Sequence, residues 1–381
     1  MRLRLSSGAA FCLFSAGVAC AADPQVTLLM GGDVQWSLTL RPPSVVFGEA
    51  DPKDKDWRAI PHSDPEAMSA HDKIAIRFNL KFASDEEMLN YPMKRLAPTL
   101  HAADFAFFNL ETPLSDTARM EGEARTPAGF AKALRAAGAS VVTVGNNHSF
   151  DTGVAGFLDT LRALDDAKLL HVGGGRDLAD GRKPVILEKN GIRIGLLGYA
   201  QFSNMNEPAF AAPGRAGITP MDPVLIKEDI RKLKPQVDYV AVSVHWGTDA
   251  SGNVSPANRK FAHELVDAGA DLILGHHTPQ PKGIELYKGK VIVYAPGHVA
   301  NGHNHPDWPD NYLVRFTLGK KAVTQVEVLP IAGKGQALAQ PWLLEGDAAR
   351  AVLENVQKRS AALDTEMNMS GNVGLIRVSE R

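Results

Sequence analysis

"SVVTVGNNHSFDTG", residues 140–153, passes from a β-branched stretch into a turn with two amides, an imidazole and a carboxylate. The helical pattern GVAGFLDTLRALDDA follows at 153–167. A short apolar run feeding a segment of 3.6-residue period is one βα unit, and the C-terminal end of its strand is the edge where α/β sheets bind ligands. Asn, Ser, Asp and Gly also serve ordinary loops and helix caps. Whether this turn carries chemistry is decided by the other strand ends.

Working outward, the layout recurs. QVTLLMGGDV (25–34) reads as a buried strand ending in a Gly-Gly-Asp turn. ADFAFFNLETPL (103–114) is an apolar strand ending at Asn109 and Glu111, VDYVAVSVHWG (237–247) closes on His245, and DLILGHH (271–277) on His276 and His277. Helical periodicity marks TPAGFAKALRAAGA (126–139), a stretch near 223–234, and PANRKFAHELVDAGA (256–270). KPVILEKNGIRIGLLGYA (183–200) is two strands around an Asn-Gly hairpin turn. A hairpin at 284–298, strands at 311–318 and 322–330, a helix from 346 and a short strand GLIRV complete a mixed α/β pattern without internal repeats.

Of the 381 residues 44% are apolar, enough to bury a sizeable core in one large domain or two smaller ones. A net charge of −2 provides no basic field for nucleic acid, which is excluded as a partner. The N-terminus, with Arg2 and Arg4, an apolar run over 9–18 and small residues before Asp23, has the layout of a signal peptide cleaved near Ala21 or Ala22. It is too short for a mature transmembrane helix. Acylation at Cys20 is the lesser alternative, because Gly17 stands where a large aliphatic is wanted. Both cysteines, Cys12 and Cys20, lie in this leader, so the mature chain has no thiol and must work with Asp, Glu, His and Asn. The expected location is periplasmic or secreted. After the leader (1–22), one domain is expected over 23–340, with a helix and strand of 341–381 packed on it. Residues 41–90, irregular and rich in Pro, Asp and Lys, read as a surface insertion of the kind that forms lids.

Carboxylate, amide and imidazole groups from separate strand ends suit one or two borderline divalent ions (Mn, Zn, Fe or Mg). The motifs GGDV (31–34), FNLETPL (108–114), GNNHSFDTG (145–153), VHWG (244–247), GADLILGHH (269–277) and KGKVIVYAPG (288–297) resemble the capsule-synthesis CapA family of poly-γ-glutamate biosynthesis proteins, whose domain is similar to the calcineurin-like metallophosphoesterases. The resemblance runs from about Val26 to Val328. It implies an α/β fold of two packed mixed β-sheets flanked by helices. It also implies Asp33 as a metal ligand, Glu111 as a bridging carboxylate, and Asn147, His245 and His276 as further ligands. His148 becomes the general acid, Asp151 the carboxylate that orients it, and Arg125 the grip on an anionic substrate group. His277 stays open between ligand, supporting donor and packing residue.

Three stretches depart from these patterns. Gln35 stands where metallophosphoesterases generally carry His, a ligand the capsule family also lacks; Thr278 and Pro279 replace the end of the family's Gly-His-His-Pro-His; and its Leu-Gly-Asn-Phe reads here as PGHV, introducing His298. We expect His298, or one of the pair His303 and His305, to replace the lost imidazole. Otherwise the site is mononuclear or inert, and the pair belongs to a solvated loop. Asn146 reads as structural, Asp151 has a rival role as a helix N-cap, and His62, His71, His101, His171 and His263 have no motif around them. The leading expectation is a metal-dependent hydrolase of an anionic cell-envelope substrate, a phosphoester or a γ-glutamyl polymer, acting through metal-activated water. The alternatives are a non-catalytic factor that binds polymer for capsule export machinery, and a periplasmic phosphatase or nucleotidase.

Overall fold

The computed structural model describes residues 23–36, 76–77, 82–119, 121–122, 124–205, 208–247, 251–304 and 308–378. The leader, most of the 41–90 insertion, and His62, His71 and His305 lie outside the described residues.

The chain builds one sheet, then a second, then returns to the first. β1 (Val26–Gln35), β2 (Phe105–Leu110), β3 (Val141–Thr143) and β4 (Leu170–Val172) are parallel neighbours. The second sheet follows with β5 (Val185–Lys189), β6 (Ile192–Ala200), β7 (Tyr239–His245), β8 (Leu272–His276), β9 (Ile284–Tyr287) and β10 (Lys290–Val293), in spatial order β9-β10-β8-β7-β6-β5. Its β6, β7, β8 and β10 are parallel, and the antiparallel edges come from the two hairpins. Asn190 and Gly191 take positive φ of 53° and 72° between β5 and β6, which is why Asn-Gly is found there. The return comprises β11 (His298–Asn301), β12 (Asn311–Leu318), β13 (Val323–Ile331), β14 (Asn368–Ser370) and β15 (Val373–Arg377). β12 and β11 pair with the first and last parts of β1 along the edge opposite β2, while β13 and β15 extend the antiparallel side. The C-terminal strand is therefore a member of the main sheet.

Strand alternation sets the layers. Leu28 and Met30 of β1 and Phe107 of β2 point into a core shared with Ile194, Leu196, Ala241, Leu272 and Val291 of the other sheet. Their neighbours Leu29, Ala106 and Phe108 face outward onto α2 (Ala97–His101), α3 (Phe130–Ala136) and α4 (Gly153–Ala167), which follow α1 (Asp85–Asn90) in the chain. On the second sheet Val240, Val242, Val244 and Ile273 face outward onto α5 (Pro223–Leu233) and α6 (Pro256–Asp267). Side chains of alternate residues leave opposite faces of a strand, so strands covered on both faces read as continuous apolar runs. The result is the expected pair of packed mixed sheets flanked by helices. α7 (Gly346–Ala361) adds Val352, Leu353 and Val356 to the inter-sheet core. Among the described residues no helix is long and apolar enough to cross a membrane.

Two local expectations change. Residues 85–90 of the stretch read as irregular form α1, capped by Ser84 Oγ accepting from Glu87 N–H at 3.1 Å; Trp36 Nε1 donates to Met88 O at 3.2 Å and ties this segment to the end of β1. β1 does not end in a turn at Asp33: it runs to Gln35 through a break in register between Met30 and Asp33. Gly31 and Gly32 make that bulge. A Cβ on Gly32 would lie 1.7 Å from Gly297 O, the carbonyl that accepts from Asp33 N–H at 3.2 Å. Gly32→Ala is therefore expected to destabilise the fold by about 2–3 kcal/mol through overpacking, measured by urea denaturation. A cost near zero would show that the bulge tolerates a side chain.

Candidate metal centre

The parallel strands of both sheets bring their C-terminal ends to one place. Asp33 comes from the β1 bulge, Asn109 and Glu111 from the end of β2, Asn147 and His148 from the turn after β3, His245 from the end of β7, and His276 and His277 from β8 and just beyond. β11 runs parallel to β1 with His298 in register with Asp33, so the PGHV motif delivers an imidazole beside the first carboxylate. Asp33, Glu111, Asn147, His245, His276 and His298 are all buried.

Asn109 is the residue that sequence reasoning undervalues, since its local pattern is that of a turn former. Its Nδ2 donates to Asp33 Oδ1 at 2.8 Å and lies 3.3 Å from His245 Nδ1, while its Oδ1 accepts from Asn146 Nδ2 at 3.0 Å. Asn146 also donates to Leu110 O, and its Oδ1 accepts from His148 N–H and Ser149 Oγ. Every polar atom of its amide is used, as the structural reading expects. Because Asn109 Nδ2 is the donor facing His245 Nδ1, the His245 proton belongs on Nε2, which donates to Asn147 Oδ1 at 2.7 Å.

Two acids share this buried space. Burial works to raise Asp33, but His276, His298 and His245 around it outweigh that and hold its carboxyl well below the usual range. Burial and the adjacent Asp33 charge push Glu111 well above its ordinary value. Burial likewise drives His245 well down, and lowers His277 to about 4. The opposed acids and neutral imidazoles form a donor set that a divalent ion would satisfy.

The residues fit such an ion on geometry as well. Ligand-type atoms of Glu111, His245 and His277 lie within 4.8 Å of one another, and so do those of Asp33, Glu111 and His298, making Glu111 common to both groups. Glu111 Oε2, both ring nitrogens of His276 and Nδ1 of His277 are buried and make no hydrogen bond with the described residues. Orphaned buried donors and acceptors are costly. His276 belongs to neither group, although its Nδ1 is 3.4 Å from Asp33 Oδ1. Of the three candidate replacements, His298 is the one described at the cluster; the side chain of His303 and all of His305 are outside the described residues.

His148 stands beside the cluster with Nδ1 2.8 Å from Asp151 Oδ2. Asp151 does not cap α4, whose N-cap position is Thr152. Instead Asp151 Oδ2 accepts from Ala124 N–H at 2.7 Å, and its main-chain oxygen accepts from Glu121 and Gly122 N–H. The loop so held carries Arg125, whose Nη1 donates to Ala118 O at 2.8 Å. A second element missed from the sequence is the segment after β6: Phe202 packs edge-on to His277 with ring centroids 4.8 Å apart, and Asn204 contacts Asn147 and His148. Nothing in QFSNM distinguishes it from an ordinary loop. His277 itself has a positive φ of 102°, and its main-chain N–H donates to Asp33 Oδ2 at 3.1 Å. His263, read as having no functional motif, pairs with Glu285 at 2.9 Å and stacks on Tyr287, away from the centre.

Residues 57–303 match the sequence model of the bacterial capsule synthesis protein family PGA_cap. The chain belongs to that family. It is 33% identical over 241 residues to the PGA biosynthesis protein CapA of Bacillus subtilis strain 168, covering 61% of this chain and 63% of that one. It is 29% identical over 253 residues to the capsule biosynthesis protein CapA of Bacillus anthracis, covering 64% and 61% respectively. The aligned region thus spans about three fifths of the length of either relative. A probable polyglutamine synthesis accessory protein of Mycobacterium tuberculosis is 28% identical over 281 residues, 68% of this chain and 73% of that one. Among solved structures, sulfate thiohydrolase SoxB of Thermus thermophilus in complex with glycerol superposes with a TM-score of 0.41 at 14% identity, over 87% of this chain and 60% of that one. The protein TT1561, also of Thermus thermophilus, does so with a TM-score of 0.37 at 14% identity, over 62% and 94%.

The electrostatics give a pH-dependent expectation for the metal-free protein. Glu111 lowers stability as pH rises above its ordinary 4.5, because the folded form keeps a proton that the unfolded chain releases. His277 acts in the other direction: it stays neutral in the fold down to about 4, so stability falls as pH drops below 6.5. Glu111→Gln removes the first effect. In chelator at pH 8 this variant is expected to melt roughly 2–4 °C above the wild type, yet to gain nothing from added zinc or manganese while the wild type gains. A metal-induced rise in Tm equal in both proteins would remove Glu111 from the ligand set.

Proposed function

We propose that this chain is a metal-dependent hydrolase of an anionic cell-envelope substrate, acting in capsule-type polymer synthesis outside the cytoplasm. The observation that carries the reading is the pair of ligand groups sharing Glu111, set beside a histidine held by a carboxylate. Asp33, Glu111 and His298 on one side, and Glu111, His245 and His277 on the other, would hold one or two divalent ions, with Asn147 and His276 alongside. A bound ion supplies Lewis acidity, polarising a phosphoryl or carbonyl oxygen and lowering the pKa of water.

The remaining work falls to the chain. Asp151 accepts from His148 Nδ1–H, which fixes the ring and its tautomer; Nε2, the unprotonated nitrogen of that tautomer, takes up a proton and delivers it to the leaving oxygen or nitrogen. Arg125, on the loop docked against Asp151, would hold an anionic group of the substrate. The substrate bond is a phosphoester or a γ-glutamyl amide, and the second of these accords with a relative named as a PGA biosynthesis protein. His298 takes the place of the imidazole that Pro279 lacks, supported by its register with Asp33.

A second reading, a non-catalytic polymer-binding or export factor, is favoured by the Thr278-Pro279 departure. Protein loaded with manganese or zinc should hydrolyse a generic phosphodiester or poly-γ-glutamate, and His148→Ala should lower kcat by about 10²–10⁴-fold with metal content unchanged. Absence of turnover with every metal tried, in folded protein, counts against catalysis. Polymer production that survives His148→Ala but fails with Arg125→Ala would establish the binding factor instead. For His298→Ala the expected result is loss of bound metal by elemental analysis, and wild-type stoichiometry and affinity would refute its role as the replacement ligand.

A further inference from the structure

A single chain of hydrogen bonds crosses the site and ends at His148. Asn109 Nδ2 donates to Asp33 and faces His245 Nδ1; His245 Nε2–H donates to Asn147 Oδ1; Asn147 Nδ2 donates to Asn204 Oδ1 at 3.0 Å; Asn204 Nδ2 faces His148 Nε2 at 3.5 Å; and His148 Nδ1 meets Asp151 Oδ2. The polarity is consistent throughout, since each amide is turned the one way that gives every donor an acceptor. Asn204 is the link that neither the metal ligands nor the proton-delivering histidine requires. It lies in the segment after β6, whose main chain is fastened by Asn204 N–H donating to Asn147 O at 3.0 Å.

We propose that Asn204 is a positioning residue that couples the ligand cluster to His148, so that an ion taken up at Asn147 and His245 resets the contact on His148 Nε2. The inference rests on the metal reading above. Its physical basis is a competition: His245 Nε2–H and Asn147 Oδ1 now satisfy each other, and an ion held at His245 Nε2 would displace that proton to Nδ1, the other ring nitrogen, and end the bond. Asn147 then turns about a fixed backbone, and its Nδ2 carries Asn204 Oδ1 with it. Because the Asn204 main chain is pinned to Asn147 O, the change passes through the carboxamide to the ring of His148 instead of dissipating in the loop. Residues that support metal ligands in this manner commonly change metal affinity by 10–100-fold when removed.

Protein with ¹⁵N-labelled histidine, the His148 signals assigned by their loss in His148→Gln, is titrated with zinc in wild-type, Asn204→Ala and Asn204→Asp forms. In the wild type zinc should displace the ring signals of His245 and His148 together. Asn204→Ala should alter the His148 signals before any zinc is added, abolish their response to zinc, and weaken zinc binding by about 10-fold. Asn204→Asp keeps the acceptor for Asn147 but loses the donor to His148, so zinc affinity should stand at or above the wild-type value while the His148 response disappears. Wild-type zinc affinity and wild-type His148 signals in Asn204→Ala overturn the coupling and leave the metal reading intact. Failure of the wild type itself to bind zinc or manganese overturns the metal reading, and the coupling with it.

Discussion

The amide nitrogen of Asn109 touches both sheets at once, donating to Asp33 on β1 and facing His245 on β7. Two sheets packed through an apolar core can slide relative to each other at modest cost, because dispersion and hydrophobic contacts are weakly directional. A buried, doubly engaged amide cannot follow such a slide without stranding a donor. Asn109 and the Asn146 behind it thereby hold the strand ends of the two sheets in one alignment, and the group of Glu111, His245 and His277, which draws on both sheets, depends on that alignment.

The cluster works against the stability of the layers that carry it. Leu28, Met30, Phe107, Ile194 and Leu272 are buried with no polar cost, whereas Glu111 is driven toward its protonated form by burial and by Asp33. Buried polar atoms are tolerated where the surroundings over-determine them. Here those surroundings are the parallel strands on both sides, the Gly31-Gly32 bulge that lets β11 approach β1, and the clasp between Asp151 and the loop at 121–124.

The layered fold was legible because strand alternation and helix periodicity are local signals: α4 spans Gly153–Ala167 as its pattern indicates, and the Asn-Gly hairpin lies between β5 and β6. Asp33, Glu111, His245 and His276 were legible for a related reason, since each follows an apolar run directly and parallel strands aim their ends the same way. The bulge in β1 was hidden, because Gly-Gly reads equally as a turn. The pairing of His298 with Asp33 depends on a strand register between residues far apart in sequence, which no local pattern encodes. Asn109 and Asn204 carry ordinary turn chemistry in sequence, and only tertiary contact separates an amide that closes a turn from one that joins two histidines to a carboxylate.

His277 shows what such superposition does to a single position. Its backbone sits at a φ of 102°, a conformation natural to glycine, so that its N–H can reach Asp33, while its ring faces Phe202 and His245. The first task is indifferent to side chain and better served by none; the second requires the imidazole. A residue that satisfies both holds the site at a conformational cost, and drift at this position has two separate directions: toward glycine, keeping the anchor on Asp33 and relaxing the chain, or toward other side chains, keeping the anchor at the same conformational cost without the imidazole.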